Sequence, residues 1–229
     1  MKKYLISIFV LLIVLIISNC STIKLANKYY LSPCYYDSPV KQSDFPQVFF
    51  EIDLSDYYHQ IKTLSSEYFR VDTIETIHYK NQDYPILEIT KRLESNKETQ
   101  KKLLVLAGVH GNESAGTLAI LELLKNYNIN PSKYNEWDLK IISPVNPAGT
   151  VEMSRYNECG CDLNRKVKKS TQKGIVLQRT IIDSFNPDVI VTLHEAPQAN
   201  FLIHSNKLLE DELLFQILND TENNGIVLA

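Results

Sequence analysis

"KKLLVLAGVHGNESAGTLAILELLKNY" (residues 101–127) decides the fold class. It opens on a short continuous apolar run, "KKLLVLAG", suited to a strand buried on both faces. It closes on "SAGTLAILELLKNY", with Leu118, Leu121 and Leu124 at helical spacing and a stop before "NINPS". Between the two, "GVHGNESAG" places His110 and Glu113 on a glycine-flanked turn. A strand passing straight into a helix is the first half of a β-α-β unit.

The same alternation continues on both sides. Downstream, "WDLKIISP" (137–144) reads as a strand, followed by an irregular stretch to about Lys173. "IVLQRTIIDSF" (175–185) reads as a helix with Leu177, Ile181 and Phe185 on one stripe, and "NPDVIVTL" (186–193) as a strand after a turn. "NFLIH" (200–204) is a candidate further strand, and "KLLEDELLFQIL" (207–218) a helix by Leu209, Leu213 and Ile217. Upstream, "DLSDYYHQIKTLSSEYF" (53–69) is an amphipathic helix. "RVDTIETIHYK" (70–80) and "DYPILEITKRL" (83–93) are strands of a hairpin turning at "NQ", and Pro85 argues for an edge or a loop entry. The expectation is an α/β domain with a mixed, mostly parallel sheet flanked by helices.

Length and charge narrow the class. The 229 residues suit one large domain or two small ones, and a net charge of -3 with scattered Lys and Arg argues against a nucleic-acid partner. The short basic run "RKVKKS" reads as a solvated loop or helix start.

The N-terminus is read separately. Residues 1–20, "MKKYLISIFVLLIVLIISNC", have lysines, then an apolar stretch of about a dozen residues, then a polar exit, the order of a secretory signal. The exit "IISNC" resembles a bacterial lipobox, with Cys20 as the lipidated residue and Asn19 where Gly or Ala is commoner. A cleaved soluble form and an uncleaved anchor are the alternatives; each puts the chain outside the cytoplasm. Residues 21–45 read as a tether, and the domain as residues 46–229. Cys34, Cys159 and Cys161 then form an odd set. "CGC" is too closely spaced for a structural zinc pair, so these read as small structural residues, or as one disulfide with Cys34.

Chemistry concentrates at one sheet edge. His110 and Glu113 follow a strand's carboxyl end, where open α/β sheets bind ligands. His194, in "TLHEA", ends another strand on the same edge. Two histidines and a glutamate are the protein ligands of a catalytic zinc, with one position left over. Taken alone, His-x-x-Glu also reads as a helix start capped by Asn112 or Ser114. The loop "PVNPAGTVEMSRYNECGCDLNR" (144–165) adds Arg155, Asn164 and Arg165, able to clamp a carboxylate or stabilise an oxyanion. Its plainer reading is a polar loop with Asx turns at Asn157, Asp162 and Asn164. His59, His78 and His204 read as surface or packed histidines.

In order, "HGNE", "NPAG", "RYNECGCDLNR" and the strand end "LH" resemble the zinc carboxypeptidase family. The spacing from Arg155 to Asn164 resembles its murein-peptide amidase branch, and "DLNR" is similar to the succinylglutamate desuccinylase and aspartoacylase branch. The resemblance covers roughly Asp53 to His204. Ala148 stands where relatives carry Asp, and Lys166 and Val167 follow "DLNR" where relatives carry Phe.

The resemblance implies a carboxypeptidase-like fold and Zn2+ held by His110, Glu113 and His194. It also implies Arg155 as the oxyanion-stabilising catalytic residue, with Asn164, Arg165 and Arg155 on the substrate's carboxylate. The family's general-base glutamate falls on a later strand; Glu210, Glu212 and Glu222 match no motif, and Glu195 points away if strand alternation holds. No base is therefore assigned, and the domain is expected to continue beyond Ala229. The implied substrate is a peptide or an acyl-amino acid with a free carboxylate, and the membrane would be reached through the lipid anchor. The rival readings are an N-acyl-amino-acid deacylase and a non-catalytic binding lipoprotein.

Overall fold

The computed structural model describes residues 51–65, 67–92, 101–134, 136–165, 171–195, 203–205 and 211–224. The signal and tether, Cys20, Cys34, Glu210 and residues 225–229 lie outside them. Among the described residues no helix is long and apolar enough to cross a membrane.

Helix α1 (Leu54–Ser65) leads into β1 (Phe69–Tyr79) and β2 (Gln82–Lys91). These strands pair antiparallel around a two-residue turn at Lys80 and Asn81, both at positive φ. That is the twist a tight hairpin needs, and it puts the turn one residue earlier than "NQ". β3 (Lys101–Leu106) is followed by α2 (Ser114–Ile129), and β4 (Trp137–Ser143) by the short helix α3 (Pro147–Val151). Helix α4 (Lys173–Phe185) precedes β5 (Val189–Thr192), and α5 (Asp211–Asn223) ends the described chain. Residues 203–204, the described part of the expected strand "NFLIH", are irregular.

The strands form one mixed sheet in the order β1-β2-β4-β3-β5. β4, β3 and β5 run parallel, while β2 runs antiparallel to both β1 and β4. The hairpin at one side therefore makes the sheet less parallel than the β-α alternation alone suggests. β2 is an interior strand, yet its pairing with β4 spans only Leu87 to Thr90, so Pro85 falls before it and costs that ladder nothing.

Two apolar layers cover the sheet. On one face Tyr57 and Ile61 of α1 and Ile120, Leu121 and Leu124 of α2 pack on Leu87, Ile89, Val105 and Ile141. On the other, Ile175 and Ile181 of α4 join Leu163 against Ile86, Leu104, Leu106 and Ile142. Alternate residues of the central strands thus face opposite layers, which is why "KKLLVLAG" is apolar without a break.

The strands align their carboxyl ends. Ladder bonds continue past β3 and β4, with Val145 N–H donating to Ala107 O at 3.0 Å and Asn146 N–H to Gly108 O at 2.8 Å. Leu193 N–H donates to Leu106 O at 2.9 Å, extending β5 the same way. "NPAG", "HGNE" and "LH" are thereby brought to one edge.

Candidate metal centre

The turn after β3 is pressed against α3. A Cβ on Gly111 would stand 1.9 Å from the Gly149 carbonyl carbon and 2.1 Å from Thr150 N, so only glycine fits where "HGNE" meets "NPAG". Asn146 caps α3 by accepting Gly149 N–H at 3.0 Å on Oδ1, with Pro147 in the first turn. The loop after α3 winds around Asn157, which is buried and whose Oδ1 accepts the N–H groups of Cys159 (3.1 Å) and Cys161 (2.8 Å). Leu163 anchors the loop in the core, and Arg155 and Asp162 face the edge.

His110, Glu113 and His194 converge there, each offering a donor atom within 4.8 Å of the others'. His110 Nδ1 lies 2.8 Å from Glu113 Oε1, and His194 Nδ1 lies 2.6 Å from Glu113 Oε2. The two imidazole rings are 4.8 Å apart. His110 is 2 % exposed and Glu113 9 %, whereas the His194 side chain is 33 % exposed, so the site opens on the His194 side.

Sequence reading assigned Asp162 only an Asx turn, and it does accept Asn164 N–H at 2.9 Å. It does more. Asp162 Oδ1 lies 3.0 Å from His110 Nε2, and its Oδ2 accepts Arg155 Nε–H at 2.9 Å. A carboxylate on the far nitrogen of a metal-ligating histidine fixes its ring and tautomer. The signal available in sequence was the position of Asp162 directly before Leu163, Asn164 and Arg165; the 52-residue separation from His110 hid the contact.

Charge in the centre follows from these contacts. Burial pushes the Glu113 carboxyl up, but hydrogen bonds from His110 and His194 outweigh it and hold it at about 2. Asp162 is likewise pushed up by burial, then carried well below the usual carboxylate range by His110 and Arg155. Burial lowers the affinity of His110 for its proton, and the two carboxylates reverse this, leaving it raised. Both carboxylates are therefore anionic, and a cation bound between Glu113 and the two imidazoles would compete with protons for these atoms. Two imidazoles, one carboxylate and an outer carboxylate form a donor set that fits zinc.

The remaining site residues take different positions. Arg155 Nη1 donates to Glu113 Oε1 at 3.3 Å, placing its charge beside the donor atoms. Asn164 is exposed, its Nδ2 lying 3.5 Å from His194 Nε2, and Arg165 is exposed with Nη1 donating to Asn164 O at 3.0 Å. Glu195 does not follow strand alternation, because β5 ends at Thr192; its Oε2 accepts Ala115 N–H at 3.1 Å. His59, His78 and His204 are exposed, with His78 paired to Asp83 at 2.8 Å. Glu212 and Glu222 are exposed on α5.

The fold is shared with metallocarboxypeptidases. The metallo-carboxypeptidase of Burkholderia cenocepacia aligns at 18 % identity and TM-score 0.57 over 66 % of this chain and 43 % of its own. That of Pseudomonas aeruginosa, solved with (2-guanidinoethylmercapto)succinic acid, aligns at 16 % and 0.59 over 75 % and 48 %. A candidate metallopeptidase from Shewanella denitrificans aligns at 19 % and 0.62 over 83 % and 75 %. The chain thus spans less than half the length of the first two. No curated protein sequence matches it significantly. Residues 99–182 match the model of the succinylglutamate desuccinylase/aspartoacylase catalytic domain. Over those residues the chain is similar to that catalytic domain, and the three solved structures, at 16–19 % identity, share its fold.

Proposed function

We propose that this protein is a zinc-dependent hydrolase of an amide bond next to a free carboxylate, of metallocarboxypeptidase or cell-wall peptide amidase type. The observation that carries the reading is the convergence of His110, Glu113 and His194 at one sheet edge, with Arg155 against Glu113. Zinc bound by these three residues supplies Lewis acidity, polarising a carbonyl and making water acidic enough to attack near neutral pH.

The protein's own groups supply the rest. Asp162 holds the His110 ring by its far nitrogen and Arg155 by its Nε–H, so one carboxylate orients both a ligand and a cation. Arg155 presents positive charge beside the donors, where an oxyanion developing on the scissile carbonyl is stabilised. Asn164, beside His194, and the exposed Arg165 would meet a substrate carboxylate. The succinic-acid ligand of the Pseudomonas relative is consistent with a carboxylate-bearing substrate. Glu113 and Asp162 are committed to histidines and Arg155, and Glu195 to the Ala115 N–H, so none of these three is placed to shuttle the proton.

The family match over residues 99–182 favours a second reading, removal of an acyl group from an N-acyl-amino acid. One assay separates them. The zinc-loaded full-length protein is incubated with C-terminal peptides, murein peptides and N-acyl-amino acids. Release of a C-terminal residue or murein peptide supports the first reading, and acyl release the second. Stoichiometric zinc with no turnover on any of them sinks both. We also propose that the protein works outside the cytoplasm, held to the membrane through Cys20; loss of lipid labelling in Cys20→Ala tests this.

A further inference from the structure

We infer that Glu195 is a positioning residue: by occupying the start of α2, its carboxylate keeps Glu113 turned into the metal site and sets where His194 stands. The inference rests on the zinc-site reading above.

Helix α2 begins in an unusual way. Its N-cap residue is Glu113, whose side chain makes no capping hydrogen bond. An N-cap side chain ordinarily accepts the N–H of the second or third helical residue. Ala115 is the second, and its N–H is taken at 3.1 Å by Glu195 Oε2, from a segment that follows a different strand. The first N–H groups of a helix need an acceptor, and a negative charge there is favourable. Glu195 meets that need for Ala115, and the Glu113 side chain makes no capping hydrogen bond to its own helix.

The same segment is held at two further points. Glu195 N–H donates to Glu113 Oε2 at 3.2 Å. Gly116, in the first turn of α2, lets Leu193 approach: a Cβ there would stand 2.9 Å from Leu193 Cβ and 3.0 Å from Leu193 O. Leu193 and Glu195 therefore dock on α2 on both sides of His194 along the chain. His194 lies beyond the paired part of β5, on the more exposed side of the site, so the sheet alone does not hold it.

The test compares zinc affinity of the full chain, wild type and variants, by competition with a chromophoric chelator, together with the absorption spectrum of the Co2+ form. Glu195→Ala is expected to weaken zinc about tenfold or more and to alter the Co2+ spectrum, the range for loss of an outer contact. Glu195→Gln, which retains an acceptor for Ala115 N–H, restores most of the affinity. Glu195→Asp retains the charge but withdraws the acceptor by one methylene, and weakens zinc like Glu195→Ala. Should Glu195→Ala not fold, the Gln and Asp variants decide by the same readings. Wild-type affinity and spectrum in a folded Ala or Asp variant, even with a lowered melting temperature, would reduce Glu195 to a helix cap and overturn the inference, while the wild-type protein's own zinc binding leaves the site reading intact. Absence of stoichiometric zinc in the wild type overturns both.

Discussion

Replacing Gly111 by alanine adds one methyl group at the seam between the "HGNE" turn and α3. Its Cβ would lie 1.9 Å from Gly149 C, 2.1 Å from Thr150 N and 2.3 Å from Gly149 O. Carbon atoms in contact prefer about 3.5–4.0 Å, so one backbone must move by about 1.5 Å. Neither can do so freely. Thr150 N–H is bonded to Asn146 O at 3.0 Å inside α3, and Gly149 O accepts Ser154 N–H at 2.8 Å. On the other side, His110 is tied to both Glu113 and Asp162. Overpacking costs about 1–3 kcal/mol when side chains can adjust, and here the obstacle is backbone, so about 3 kcal/mol is expected. For a chain of this size that lowers the melting temperature by about 6–12 °C. Urea unfolding should show a lower midpoint at unchanged slope, and competition titration should show weaker zinc binding, because the shift displaces His110. A loss under about 1 kcal/mol with wild-type zinc affinity would refute the claim that this contact sets the position of the first ligand.

Asp162→Asn keeps the shape and removes the charge on the far side of His110; zinc affinity should fall about 10–100-fold by chelator competition. Arg155→Ala should lower kcat by about 10²–10³ on whichever substrate is hydrolysed, with zinc content unchanged by metal analysis. Tyr57 gives a pH test. Burial raises its phenol well above the usual range, against the small opposing effect of its 2.7 Å hydrogen bond with Ser143. The folded state therefore keeps a proton that the unfolded state loses near pH ~10, so this contribution is complete below about 10 and is lost as pH rises further. Tyr57→Phe should cost about 1 kcal/mol at pH 7 from the lost hydrogen bond and should flatten the alkaline decline in denaturation midpoints.

Much of this was legible along the chain because it is local. The unbroken apolar run of β3 reports a strand covered on both faces, and Leu121 and Leu124 report the buried stripe of α2. The residue types of His110, Glu113 and His194 point to a candidate metal site before any fold is known, because few other side chains bind zinc. The hairpin was legible as a pair of strands, but its turn lies at Lys80 and Asn81, where positive φ on two non-glycine residues is imposed by the register. Helix α3 was missed because five residues around a glycine have no helical period to read.

What only the tertiary structure decides are the contacts between residues that sequence holds apart. Asp162 meets His110 across 52 positions, and Glu195 meets Ala115 across 80. Each of these acidic residues reads alone as a turn former or a surface charge; its role comes from the donor that folding places opposite it. Gly111 likewise shows as a flexible turn residue until α3 arrives against it. Sequence carries the donors and the apolar periods, since those are properties of single residues and short spacings. Which donor faces which acceptor is set when parallel strands align their carboxyl ends, and that alignment is made by the whole sheet.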